Sequence, residues 1–353
     1  MRRYAYLAVW LPLMTPSIAV LRPTPASAQV PVTYRVQDLG TFGGDLVGLA
    51  VNRNGDVAGY AFMPDGICHA IRWTRAGGLE DLGTNGGFIA QAFGINDNGD
   101  VVGSYATNAG GVTQSHGFLA RRGGAIEDLS TPERQILRVD AITNDGRIAG
   151  MLMTSSLQTN AFRTLADGTL VNLGSPLFAS AASRMNAEGE IAGVEIHNQS
   201  DDQQRAFLFT AAAGSVDLGS LGGTASKASS INNDGVVVGW STGARELPQA
   251  FRARPGRPME PLDGWPEGAA GGANDINDFG SIVGAMGSVA FIYGPGTGVV
   301  DLNSRLAPAD RNRVLTDATA ISASGDIVAL YHDATSYRTV LLTPVVDKVP
   351  HHR

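Results

Sequence analysis

The chain has 353 residues, with 45 glycines, a single cysteine and only 17% charged side chains. So many glycines disfavour long helices and suit tight turns between short strands. The formal net charge of −7 excludes a general nucleic-acid binder, which needs a basic surface to neutralise phosphates.

The first 28 residues read as an export signal. Arg2 and Arg3 form a basic start, residues 4–13 and 17–21 are apolar, and Ala26-Ser27-Ala28 supplies a small-residue cleavage site. Cleavage after Ala28 predicts a mature chain beginning at Gln29 and a secreted or periplasmic location. The apolar stretch is interrupted by Pro12 and Pro16 and is short for a bilayer. No later segment is apolar for long enough, so no membrane span is expected after cleavage. Residues 32–39 follow as an edge strand, in which Val32, Tyr34 and Val36 alternate with Thr33, Arg35 and Gln37.

A motif of the form Ile-Asn-x-x-Gly-x-Val-Val-Gly then recurs seven times, about every forty-five residues. Its first position holds Asn52, Asn96, Thr143, Asn186, Asn232, Asn277 and Ser322. Each is a short acceptor able to bond the backbone two residues on. Three residues later stand Gly55, Gly99, Gly146, Gly189, Gly235, Gly280 and Gly325, the glycines of a type I turn. A small residue, as at Gly59, Gly103 or Gly193, follows four residues after that glycine and predicts close approach of another backbone or ring.

Each unit resolves into four short strands. In the second unit these are 91–95, 100–105, 117–120 and 125–129, bounded by Gly, Asn and Asp. Four-stranded units in tandem predict an all-β, seven-bladed β-propeller of antiparallel blades over residues 29–344, with 345–353 as a C-terminal tail. After the seventh third strand no Asp-Leu-Gly follows, so the N-terminal strand is expected to close the last blade. The rival closing strand is Val345-Val346-Asp347, beside Pro344. The alternative architecture is an open β-solenoid.

These repeats resemble the HAF repeat, a family of probable extracellular repeats named for His-Ala-Phe and linked to Asp-Leu-Gly-Thr-Leu-Gly-Gly. The matching residues are His69-Ala70-Ile71, His116-Gly117-Phe118, Asp38-Leu39-Gly40-Thr41-Phe42-Gly43-Gly44 and Asp217-Leu218-Gly219-Ser220-Leu221-Gly222-Gly223. The resemblance implies secretion and a propeller-like fold, and no particular activity.

Spacing separates two faces. From the third-strand small residue to the fourth-strand Asp position the separation is eleven in all six complete cases, whereas the second-to-third connection varies from 6 to 14. Loops vary where they bind rather than pack. The variable face, with its long segments 104–116 and 194–205, is therefore the candidate binding face. It offers Asn108, Gln114, Asn198, Asp201, Asp202 and Gln203 for hydrogen bonds, and Tyr60, Tyr105 and Trp240 for stacking.

The sequence carries no recognised catalytic motif. The histidines lack metal-ligand spacing, and there is no Gly-x-Ser-x-Gly elbow or phosphate loop. Asp97-Asn98-Gly99-Asp100 has the look of a calcium loop but lacks the closing glutamate, and reads as a turn. Cys68 reads as a buried filler. No cofactor and no metal is expected. The expectation is a monomeric, non-catalytic binding or scaffold propeller for an extracellular glycan or protein. The alternative is a polysaccharide-acting hydrolase or lyase, which needs two opposed carboxylates across the central channel.

Overall fold

The computed structural model describes residues 33–174, 178–198, 203–333 and 335–345. They form seven four-stranded antiparallel blades. Blade 1 comprises Leu46–Val51, Val57–Phe62, Cys68–Thr74 and Gly78–Gly83. Blade 2 comprises Ile89–Ile95, Val101–Ala109, Val112–Ala120 and Ile126–Asp128, and a single parallel bridge from Cys68 to Ile89 joins it to blade 1. Blades 3 to 6 occupy 135–172, 179–217, 222–261 and 271–301. Blade 7 takes Leu315–Ile321, Ile327–His332 and Tyr337–Pro344, and Tyr34–Asp38 supplies its outer strand.

The expected closure holds. Tyr34 to Asp38 pair antiparallel with Pro344 to Val340, and the Val345 amide donates to the Thr33 oxygen at 3.0 Å. Tyr34 is 1% exposed and sits in a core shared by blades 6 and 7. Val32 lies outside the described residues, as do residues 1–28 and the two valine-tail residues Val346 and Asp347. Blade 7 packs on blade 1 through Ala320, Val328 and Leu341 against Leu46, Val57 and Ile71. The Thr339 hydroxyl bonds Gly48 N and Leu46 O across the same seam, at 2.9 and 2.7 Å. The ring is closed, which removes the open solenoid.

Every first strand lines the central axis, and every one carries a β-bulge at the same place, for example between Gly48 and Ala50, Ala92 and Gly94, and Ala182 and Arg184. A bulge leaves one residue out of the ladder and re-aims its neighbours. It also explains the small residue of each second strand. A Cβ on Gly103 would lie 2.0 Å from the Gln91 oxygen and 2.7 Å from the Phe118 ring. Gly193 is confined in the same way by Ala181 O and the Phe207 ring.

The structure corrects the extent of two segments. The sequence predicts variable loops over residues 104–116 and 194–205. The first is a regular two-stranded ribbon, with Thr107 opposite Gln114 and Ala109 opposite Val112. Gly110 and Gly111, at φ 62° and 84°, make the two-residue turn that lets the ladder run on. The second pairs Ile191–Asn198 with Gln203–Thr210.

Candidate functional site

The Asn-x-x-Gly turns gather on one face around the axis. Asn52 Oδ1 accepts from Asn54 N and Asp56 N, at 3.0 and 2.8 Å, which builds the turn. Its amide nitrogen then donates to Asn96 O of the next blade at 2.9 Å. Asn96 reaches Thr143 O in the same way, Asn186 reaches Asn232 O, Asn232 reaches Asn277 O, and Asn277 reaches Ser322 O. Thr143 has no amide to continue the belt, and Arg147 bridges that gap to Ala187 O at 2.6 Å. Ser324 bridges the last seam to Arg53 O at 3.0 Å. A second tier runs outside the first, where Asp97 accepts from Arg53 N, Asn144 from Asp97 N, and Asp278 from Asn233 N. The seven turn glycines hold φ between 73° and 85°.

These turns surround a funnel of about 460 Å³. Its inner ring is Val51, Ile95, Ile142, Met185, Ile231, Ile276 and Ile321, and its rim is the belt itself. The rim's amides and carboxylates are already bonded to one another, Asp97 to Arg53 N and Asn144 Nδ2, Asp278 to both Asn233 nitrogens. This funnel therefore offers few free polar groups. Asp97, the calcium-like position, is engaged by nitrogen donors.

Below the funnel lies a cavity of about 90 Å³, walled by Asp140, Arg184 and Asp275 with Ala50, Gly94 and Ala141. Arg184 of blade 4 donates to the bulge oxygens of Phe93 and Asp140, both at 3.1 Å, and to Leu49 O at 3.4 Å. It thus serves carbonyls that the bulges of blades 1 to 3 release from the ladder. Asp140 is held by Arg138, and Asp275 accepts from Ser230 Oγ at 2.6 Å and Ile321 N at 2.9 Å. Burial pushes both carboxyls up, with the Arg138 charge opposing it at Asp140 and the Arg184 charge at Asp275. The hydrolase alternative finds two carboxylates on one cavity here. The space is well below the roughly 300 Å³ at which ligand pockets begin. Among the described residues no group of three or more His, Cys, Asp or Glu side chains is gathered as a metal site would be.

The opposite face carries the second-to-third and fourth-to-first connections. Asn108 and Gln114 stand exposed on the blade 2 ribbon, and Asn108 Oδ1 accepts from Gly111 N at 3.0 Å. Asn198 ends its strand, paired with Gln203. Asp201 and Asp202 lie outside the described residues. Tyr60 is half-buried, with its ring edge-on to Phe62 at 6.2 Å. Trp240 is half-buried over Gly272 of the next blade. Tyr105 is closed to a stacking role: it is 5% exposed, lies flat on His116, and donates to Asp128 at 2.9 Å. The named residues do not form one cluster, because they sit on blades 1, 2, 4 and 5.

The Asp-Leu-Gly carboxylates cap their own turns, as Asp81 does for Gly83 N at 2.7 Å and Asp217 for Gly219 N at 2.7 Å. His69 and His116 bond Asp81 and Asp128 across to the fourth strand, at 2.9 and 3.1 Å. Cys68 is buried against Ala90 O, and burial pushes its thiol up to about 11, which suppresses the reactive thiolate.

Two features escaped the sequence reading. Arg72, 1% exposed, bonds Glu80 twice and reaches Gly99 O of blade 2 at 2.8 Å. Arg252 does the same between blades 5 and 6, to Glu260, Asp263 and the Tyr293 hydroxyl. The available signal is that Arg72, Arg163 and Arg252 share one third-strand position in alternate units.

No known family model and no curated protein matches this chain in sequence. In structure it is similar to puromycin hydrolase, at TM-score 0.55 and 13% identity over 90% of this chain and 55% of that one. It is also similar to the β-propeller domain of the trilobed protease from Pyrococcus furiosus, at TM-score 0.54 and 11% identity over 88% of this chain and 95% of that domain. A third similarity is to the Pyrococcus horikoshii acylaminoacyl peptidase, at TM-score 0.52 and 9% identity over 88% of this chain and 54% of the other. The chain spans about half the length of puromycin hydrolase. At such identities the likeness is one of fold, and it defines this chain as a β-propeller. Among the described residues no helix is long and apolar enough to cross a membrane.

Proposed function

We propose that this chain is an exported, monomeric HAF-repeat propeller that binds an extracellular or envelope ligand on its loop face. The observation that carries this is where the exposed apolar side chains stand. Of the ten large hydrophobic residues exposed among those described, seven lie on that face: Phe62, Phe88, Val112, Leu157, Leu247, Val314 and Tyr337. They are spread over blades 1, 2, 3, 5 and 7 rather than gathered in one patch, but they make this the more apolar of the two faces, which favours it as the contact surface. The backbone supports the same face. Among the described residues, the three non-glycine residues at positive φ, Asn85, Leu157 and Glu246, all sit on its connections. Such strain concentrates at functional sites.

The test is capture of the mature protein on arrays of glycans and envelope proteins. Val112→Asp and Leu157→Asp should each weaken capture about tenfold or more, the loss of one well-packed contact. Phe279→Asp on the funnel face should leave it intact. Loss with Phe279→Asp alone would place binding on the funnel. Intact mass of the exported protein, starting at Gln29, checks the signal, and light scattering checks the monomer.

A further inference from the structure

On the loop face, between the blade 5 hairpin and the connection to blade 6, lies a cleft of about 250 Å³. Its principal walls are Arg245, Leu247, Gln249, Trp265, Pro266 and Glu267. We propose that this cleft binds one neutral sugar residue of a glycan, a reading that rests on the loop face being the binding face.

The chemistry follows from what each group has left to offer. Trp265 Nε1 already donates to Ala269 O at 3.0 Å, and the ring meets Phe291 edge-on at 5.5 Å. The indole is therefore fixed, and what it adds to the cleft is ring surface. Arg245 and Glu267 approach at 3.4 Å, with side chains 75% and 87% exposed. An ion pair so loose and so exposed contributes little stability. Its guanidinium and carboxylate can turn to a ligand at small loss. Together they cancel in charge, which favours a neutral ligand over a phosphate or an ammonium.

A pyranose fits these groups. Its C–H face can lie on an indole. Its adjacent hydroxyls both donate and accept, so they can bridge the planar Arg245 fork and the Glu267 carboxylate. At about 250 Å³ the cleft falls just short of the roughly 300 Å³ at which pockets for whole drug-sized ligands begin, so it suits a single ring at the end or side of a glycan rather than a longer ligand buried whole. The lip of the cleft is also held in place. Glu246 keeps φ 54° in the turn, and its carboxylate accepts from Thr224 Oγ1 at 2.9 Å. That contact ties the hairpin carrying Arg245 and Leu247 to the start of the same blade.

The experiment is saturation-transfer NMR on the mature chain with the methyl glycosides of glucose, galactose, mannose and N-acetylglucosamine. At least one should receive transfer to its ring protons. Arg245→Ala and Glu267→Gln should each weaken that binding about tenfold, the loss of a charge-assisted contact. Both side chains are exposed, so melting should not move. Trp265→Leu should abolish transfer, and because it can also disturb Phe291 its fold is checked by circular dichroism. No transfer from any of the four glycosides, or transfer untouched by both Arg245→Ala and Glu267→Gln, overturns the proposal. If the cleft fails in this way while Leu157→Asp still weakens array capture, the loop face stands and only the sugar site falls. If Leu157→Asp and Val112→Asp also leave capture unchanged, the loop-face reading falls with it.

Discussion

The guanidinium of Arg184 donates to the main-chain oxygen of Phe93, two blades away, at 3.1 Å. The bulge in each first strand releases a carbonyl toward the axis, and one arginine takes up three of them. A buried acceptor without a partner costs about 1–3 kcal/mol. Arg184→Ala should therefore destabilise by at least that much, and Arg184→Lys should recover only part, because a single ammonium lacks the planar fork. Urea unfolding of the three proteins checks this. Equal stability of all three would show the axis to be held elsewhere.

The amide belt makes a second prediction. Asn232 receives Asp234 N and Val236 N on its oxygen and donates to Asn277 O at 3.2 Å. Asn232→Asp keeps the two acceptor contacts and removes the donor, placing an acceptor against an acceptor. A loss of about 1–3 kcal/mol is expected. Asn232→Ala removes both roles and should lose more. If Asn232→Asp falls within the roughly 0.5 kcal/mol of an ordinary surface change, the link between blades is not stabilising.

Closure predicts the effect of the N-terminal strand. Tyr34 is buried between blades 6 and 7, and its carbonyl accepts from Ala307 N at 3.1 Å. Tyr34→Ala should cost roughly 3–5 kcal/mol, as for other large aromatic truncations in cores. Removing residues 29–37 should in addition expose the edge of Tyr337–Pro344 to pairing with other chains. Thermal melting and size-exclusion chromatography read both effects, and a monomer with unchanged melting would refute them.

A carboxylate held between blades 6 and 7 makes stability depend on pH. Burial pushes Asp317 up, with the amide of Asn274 opposing at 2.7 Å. A carboxyl raised in the folded state favours folding when protonated, and that contribution is lost as pH rises through its folded value. Asp317→Asn keeps an acceptor for Asn274 and never ionises. It should therefore be more stable than the parent protein at pH 7. The advantage should disappear below about pH 4, where the parent's carboxyl is protonated folded and unfolded alike. Unfolding series at pH 7 and pH 3.5 give the sign directly, and a loss of stability at pH 7 would contradict the burial argument.

The repeat made most of this architecture legible. The turn glycines, the small second-strand residue and the missing seventh Asp-Leu-Gly are local signals, and together they specify blade count and closure. The axis was not legible. Arg184 and Asp275 stand at the position that is Ala50 in blade 1, Gly94 in blade 2 and Ala320 in blade 7. Only the bulge turns that position toward a common cavity, and a bulge leaves no period in one strand. The belt was half legible, since the local acceptor role of Asn follows from its turn while the donor role needs the neighbouring blade. In sequence, residues 104–116 have the polar residues and glycines of a loop, yet Val112 and Thr113 extend the ladder and the glycines occupy only its tip.

Leu157 makes the last prediction, because it sets stability against function at one residue. It holds φ 60° at the tip of the blade 3 hairpin with 82% of its surface exposed. In the same hairpin position of blade 1 the chain places Gly66, at φ 84°. A leucine there strains its backbone and is not repaid by burial, and such strain costs on the order of 1–3 kcal/mol. Leu157→Gly should therefore raise stability by about 1 kcal/mol, which in a chain this size moves the melting point by a few degrees at most. The same change removes an apolar contact from the loop face and should weaken capture on the arrays. Higher melting with weaker capture shows a strained side chain kept for a partner. Higher melting with unchanged capture would show that Leu157 has no part in binding.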